Sequence, residues 1–144
     1  MNDVIGAKPP MWFRIVAVLA ILWNLIGVWQ YLSFVGMVPM MKEATAAELE
    51  VVGRAPAWIA GAFAIAVFGG LLGSLALLLG KAMARLLLIV SLIAMVIKFA
   101  WWCFMSGLME IEGNAVLVMP AVVIAIGVLL VWLANTGVKK GWLT

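Results

Sequence analysis

The residue with the most chemistry in it is Lys98, the single charge in the long run between Arg85 and Glu110. An ammonium near the middle of a membrane span costs roughly 3 kcal/mol to insert. At about 1.5 Å per residue it lies ~20 Å along a helix axis from Arg85, inside an apolar core but nearer its far face. Two readings are open. In one, Lys98 snorkels to the headgroups, although side chains tilt toward the helix N-terminus and it must bend against that tilt. In the other, it is an internal cation facing an anionic solute, a lipid phosphate or a water-filled pocket. Trp101 and Trp102 come soon enough after it for a cation–π contact. Asn24 is a second polar group within an apolar run, and it shares a helix face with Gly27 and Tyr31. If the first and third spans touch, Asn24, Tyr31 and Lys98 form one hydrogen-bonded layer, a polar lining or ligand group. Asn24 serves equally well as interhelical glue. Ser91, Met95, Lys98, Trp102 and Met105 share one face, as a cavity lining or as core.

What is missing narrows the chemistry. The chain has no histidine, which removes His-based acid–base catalysis, His-containing triads and His metal sites. All the acidic residues fall outside the apolar runs. An intramembrane carboxylate or histidine is the common proton relay of coupled transporters. The pattern therefore differs from that of the small multidrug-resistance exporters, which embed a glutamate. Glu110 and Glu112 read as a solvated loop, because a hard cation wants six or more oxygens. A single cysteine, Cys103, allows no intrachain disulfide. With no phosphate loop, nucleophile pair or paired-cysteine motif, we expect no enzyme activity, no cofactor and no metal.

These residues must be positioned by membrane helices. The 144 residues are 68% hydrophobic and 10% charged, with a mean hydropathy of +1.27. Soluble domains are about half apolar and a quarter charged, so too little polar surface exists to cover a water-soluble globule. Four apolar runs are each long enough to cross a bilayer, at about 20 residues. They cover about 11–36, 56–79, 83–107 and 115–135. The fold expected is an all-α bundle of four transmembrane helices in one membrane domain, 1–144. Its packing spine is the second span. Ala62, Ala66, Gly70 and Ser74 repeat every four residues, with Gly69 and Gly73 offset beside them. Such a ridge of small side chains lets another helix approach closely in lipid. Gly80 is a natural left-handed cap, and the very short link after it makes spans two and three antiparallel neighbours. Pro120 should kink span four near its start, with Asn114 as its cap. In the outer loop, 37–55, Thr45 and Glu48 fit a capping box. A short helix over about 46–52 would rest Ala46, Leu49 and Val52 on the membrane surface, and Glu50 and Arg54 are spaced for an ion pair.

The net charge of +3 reflects topology rather than nucleic acid. Lys8, Arg14, Lys81, Arg85, Lys139 and Lys140 fall on one side, and Lys42 and Arg54 on the other with most of the acids. The positive-inside rule then puts both termini in the cytoplasm. Trp12 and Trp142 suit the inner interface. Trp58, Trp101 and Trp102 suit the outer one.

Several segments resemble a group of functionally uncharacterised small bacterial four-helix inner-membrane proteins. They are Trp12–Val18, Trp23–Val28, Pro56–Trp58, Ala62–Gly73, Met119–Ala121 and Gly141–Leu143. Such proteins are often labelled sugar transporters, and the resemblance implies a bacterial inner-membrane home without bringing site residues with it. Two functions stand as expectations. One is a small-solute, sugar-like transporter acting as a homo-oligomer lined by Asn24 and Lys98. The other is a non-transporting accessory protein that binds lipid or a partner membrane protein. The bilayer is the one partner the sequence names.

Overall fold

The computed structural model describes residues 8–37 and 45–144. Among these there are helices and no strand. In order they are α1 (Met11–Phe34), α2 (Ala46–Arg54), α3 (Ala57–Leu79), α4 (Met83–Ala100), α5 (Leu108–Glu112) and α6 (Val118–Lys139). A π-helical segment, Trp101–Met105, prolongs α4, and a 3-10 turn, Gly113–Leu117, leads into α6. Four units are long and apolar enough to cross a membrane: α1, α3, α4 with its extension, and the run Met109–Lys139, in which α5 and the 3-10 turn lead into α6. The chain is thus a multi-pass membrane bundle. The start of α1 and the end of α6 share one end, the terminal end; α2 and α5 sit at the other, the loop end.

Small side chains decide which helices meet. α3 packs against both α1 and α4, and α4 packs in turn against α6. Ala66, Gly70, Gly73 and Ser74 are buried, while Ala62 and Gly69 are half-buried. The small-residue ridge thus lies inside a single chain. A methyl group added at Gly73 would stand 2.8 Å from Leu88 Cγ, and one at Gly27 3.3 Å from Val67 Cγ1. On α1 the inward stripe is Phe13, Ala17, Ala20, Asn24, Gly27 and Tyr31, each buried or half-buried. It advances alternately by four and three residues, the spacing that keeps one face on a neighbour. The opposite face of the bundle is apolar and open: Leu22, Leu72, Leu79, Ile93 and Leu129 are all more than half exposed. In water such a surface would be a liability; in hydrocarbon it is the solvent-facing surface.

Helix ends obey local chemistry. Gly80 takes a left-handed conformation, φ 76°, and Lys81 N–H donates to Ala76 O at 2.8 Å. This closes the orphan carbonyls of α3 and turns the chain straight into α4. Gly141 does the same after α6, with Trp142 N–H on Gly137 O. The tail then folds inward. Leu143 is buried against Phe13 and Gly137, and Thr144 N–H donates to Gly80 O at 2.9 Å.

Several local expectations change. Pro120 does lie near the start of its span, but within the first turn of α6, where its missing N–H has no intrahelical partner to lose and so gives no reason to kink. Asn114 lies in the 3-10 turn and caps nothing, and α6 runs on to Lys139. The π turn widens the helix and rotates the residues beyond it. The inward stripe of α4 therefore ends at Trp102, and Met105 is 69% exposed. Trp101 belongs to a core cluster with Val51 and Ile59, not to an interfacial belt. α2 forms with Thr45 Oγ1 accepting from Glu48 N–H at 3.1 Å. It extends to Arg54 and buries Val51, leaving Leu49 exposed. Arg54 donates to the Ser106 carbonyl, and among the described residues it makes no ion pair with Glu50. Thr45 Oγ1 also donates to Glu112 Oε2 at 2.8 Å, so both ends of α2 are tied to the α4–α6 connection. Lys42 and Glu43 lie outside the described residues.

Replacing Gly73 by Val should lower the unfolding midpoint in detergent by the equivalent of about 1–3 kcal/mol, the usual cost of overpacking. Gly61, on the same helix, has nothing within 4 Å of an added methyl. Gly61→Ala should leave the midpoint unchanged or raise it, since Ala is the better helix former. Equal losses at both positions would rule out the packing account.

Candidate functional site

Two polar layers lie inside the bundle, one above the other. The deeper one is built on the glycines of α3. Asn24 Nδ2, on α1, donates to Ala20 O at 2.8 Å and to Ser74 Oγ at 3.1 Å. Ser74 passes its own proton back to Gly70 O at 2.8 Å. Gly70 is essential to this contact: a Cβ there would overlap Asn24 Oδ1. From α4, Ser91 Oγ donates to Ala66 O at 2.5 Å and comes within 3.2 Å of the same Gly70 Cβ position, so Asn24 and Ser91 approach one face of α3. One helix thus carries hydrogen bonds to both neighbours at nearly the same height. In hydrocarbon these bonds supply the specificity that non-directional packing lacks.

Beside this layer is a cavity of about 30 Å³, lined among others by Trp23, Asn24, Gly70, Ser91, Met95 and Gly127. That is room for about two waters at ~10–15 Å³ each. Asn24 Oδ1 accepts no bond from a described residue, so such a water has a partner waiting.

The second layer is nearer the loop end, and Lys98 is its centre. Lys98 is only 7% exposed. Its Nζ lies 4.4 Å from the ring centre of Phe63, 4.2 Å from Phe99 and 5.0 Å from Trp102. Three rings at these distances offer their negative faces to the charge, a contact worth about 0.5–2 kcal/mol each. Phe63 is held from behind by Tyr31 and Phe34, edge-to-face at 5.6 Å and 5.4 Å. Tyr31 also meets Phe68 edge-to-face at 5.8 Å. Two helices build the cage. Phe99 and Trp102 come from α4 itself, Trp102 about one turn beyond Lys98. Phe63 comes from the facing stripe of α3, which runs antiparallel.

The expected single layer of Asn24, Tyr31 and Lys98 is therefore split. Tyr31 and Lys98 each meet the Phe63 ring, and Asn24 pairs with Ser74 instead. Seven residues along α4 separate Ser91 from Lys98, ~10 Å at the helical rise. Trp102 supplies the cation–π contact that the sequence suggests, while Trp101 turns into the loop-end core. The sequence singles out neither Phe63 nor Phe99. Phe63 sits one residue beyond Ala62 of the small-residue ridge, and its cross-helix partner is visible only once the α3–α4 register is known. Ser74 stands out in the sequence for its size alone, yet its hydroxyl receives Asn24.

Other chemistry is thin. Cys103 is buried and its thiol points at Val116 O, 3.9 Å away. Among the described residues no cluster of three or more His, Cys, Asp or Glu side chains could hold a metal. Glu112 is engaged by Thr45, and Glu110 is exposed. Comparisons with protein-family models, with curated proteins and with solved structures find no match to this chain.

The two layers respond oppositely to truncation. Asn24→Ala removes one bond within α1 and one to α3 and should cost about 0.6 kcal/mol, the average for a bond between membrane helices. Lys98→Met keeps the shape of the stem and removes the charge. It should improve insertion of α4 by up to about 2 kcal/mol, the insertion penalty of ~3 kcal/mol less the ~1 kcal/mol or more that Phe99 and Trp102 return. Insertion assays on α4 and unfolding midpoints in lipid-free detergent check both signs.

Proposed function

We propose that this chain is a small membrane component that acts by binding a lipid or a partner membrane protein through its spans, rather than by carrying a solute through its own bundle. The size of the central cavity carries the reading. About 30 Å³ admits water and excludes a sugar ring. The polar groups support it as well. Asn24 Nδ2 is taken by Ala20 O and Ser74 Oγ, and Lys98 is walled by rings, so among the described residues no continuous polar path joins the two ends of the helices. The reading includes no catalytic step, cofactor or nucleic acid.

The alternative is sugar-like transport by a homo-oligomer, in which neighbouring copies build the path. Asn24, whose carbonyl oxygen borders the cavity, is the group that favours it. Native mass spectrometry of the protein released from native membrane separates the two. The expected result is bound phospholipid or a partner chain, with no small polar solute. In reconstituted vesicles, labelled neutral monosaccharides should enter no faster than in protein-free vesicles. Saturable uptake that is lost in Asn24→Leu would overturn the proposal.

We further infer a bacterial inner-membrane location with both termini in the cytoplasm. Lys8, Arg14, Lys81, Arg85, Lys139 and Lys140 cluster at the terminal end, while Glu48, Glu50, Glu110 and Glu112 gather at the loop end. The positive-inside rule reads that asymmetry directly. A fluorescent protein fused after Thr144 should mature, and alkaline phosphatase at the same place should stay inactive; the reverse pattern would invert the topology.

A further inference from the structure

Among the described residues the buried polar side chains are Ser33, Ser74, Ser91, Lys98 and Ser106. Each serine donates its proton to a carbonyl: Trp29 O, Gly70 O, Ala66 O and Trp102 O, respectively. Lys98 is the exception. Its three N–H donors meet ring faces and, among the described residues, no oxygen. Ring faces answer the charge, but they are weak acceptors for three directed donors. A polar group left without an acceptor in hydrocarbon costs several kcal/mol. An intramembrane cation normally faces a carboxylate, a carbonyl or a watery cavity. No carboxylate lies within α1, α3, α4 or α6, and the 30 Å³ cavity is lined by the deeper layer, without Lys98. Among the described residues none supplies an acceptor, and Nζ is not one of the fully enclosed polar atoms, so a ligand from outside the bundle can reach it.

Position narrows what it is. Lys98 lies seven residues before Met105, the end of the π-extended helix, so it is ~10 Å below the loop-end boundary. That depth is within reach of a headgroup when a lysine stem and a local thinning of the bilayer work together. Phe99 and Trp102 are half-buried at the edge of the cage, so one side of the cage borders lipid and is apolar. The loop-end acids Glu48, Glu50, Glu110 and Glu112 are on α2 and α5, and among the described residues none pairs with Lys98.

We propose that Lys98 is the anchor of a binding site for a phosphate-type oxyanion, entering beside Trp102 from the loop end. An ammonium donates well to a compact anionic oxygen, and the aromatic wall accommodates apolar chain attached to it. A phospholipid headgroup and free phosphate share this chemistry. The proposal rests on the binding-component reading above and names the ligand class of its site.

The test uses the full chain, delipidated in a phosphate-free maltoside detergent. Its unfolding midpoint is tracked while phosphatidylglycerol, and separately inorganic phosphate, is added. The expected result is stabilisation by phosphatidylglycerol that in Lys98→Met needs about tenfold more lipid, the loss of one charge-assisted hydrogen bond. Lys98→Arg should retain most of the response. A double variant, Lys139→Gln with Lys140→Gln, removes charge from the terminal end and should keep the Lys98-dependent part. If inorganic phosphate alone gives a Lys98-dependent shift, the ligand is the free ion. If Lys98→Met responds like the unaltered chain to both, the proposal is overturned and Lys98 is held by its rings alone. That failure is distinguishable from failure of the functional reading, which only solute uptake would show.

Discussion

The bundle depends on how closely α3 can approach its two neighbours. Inside lipid there is no hydrophobic drive to push helices together, because the surrounding chains are as apolar as the side chains. What remains is van der Waals contact, which falls away within an ångström of separation. Gly70 and Gly73 remove the side chains that would hold α1 and α4 off. Once the backbones are close, short polar groups reach across: Asn24 to Ser74, and Ser91 to Ala66 O. The same glycine thus serves packing and hydrogen bonding. Gly70 is the clearest case, since a methyl there would occupy the place of Asn24 Oδ1.

A second constraint acts at the ends of the helices. Irregular backbone must keep its polar groups satisfied wherever it meets hydrocarbon. At the terminal end, Gly80 and Gly141 reverse the chain within one turn, and the tail packs Leu143 into the gap between Phe13 and Gly137. At the loop end the longer connections are held by α2. Val51 is buried with Ile59 and Trp101, Arg54 takes the Ser106 carbonyl, and Thr45 takes Glu112. The π-helical segment lies directly beneath this cap. It ends the inward register of α4 just beyond the Lys98 cage, so that Trp101 and Cys103 turn inward and Phe104 and Met105 outward. Wide turns of this kind often mark functional positions in helices.

These constraints give Lys98 its unusual standing. The layer below it is held by hydrogen bonds onto α3 and the cap above it by short polar ties. Lys98 lies between the two, with its charge held by Phe63, Phe99 and Trp102 and its donors unanswered. The rings come from two antiparallel helices, so the cage exists only while the α3–α4 contact is intact. Packing and the candidate site are thereby one problem, and the glycines of α3 set the geometry of both.

The number of membrane helices, the small-residue ridge, the Gly80 cap and the capping of α2 by Thr45 are all legible in the sequence. Each is written in local pattern: apolar length, a four-residue repeat, a glycine after an apolar run, a threonine three residues before a glutamate. Lys98 and Asn24 are also visible, as polar groups where none is expected. Only the tertiary structure decided their partners. A partner depends on which helix stands between which, and on the register at which two helices meet; neither is encoded within one helix. Thus Asn24 meets Ser74 across the α1–α3 contact, Tyr31 and Lys98 both meet the Phe63 ring, and Arg54 passes over Glu50 for the Ser106 carbonyl. Pro120 falls in a first turn because a 3-10 turn takes up the residues before it. Local pattern determined the elements, because its rules act within a few residues. Contact between elements was decided by long-range fit, for which a small side chain is a permission and not an address.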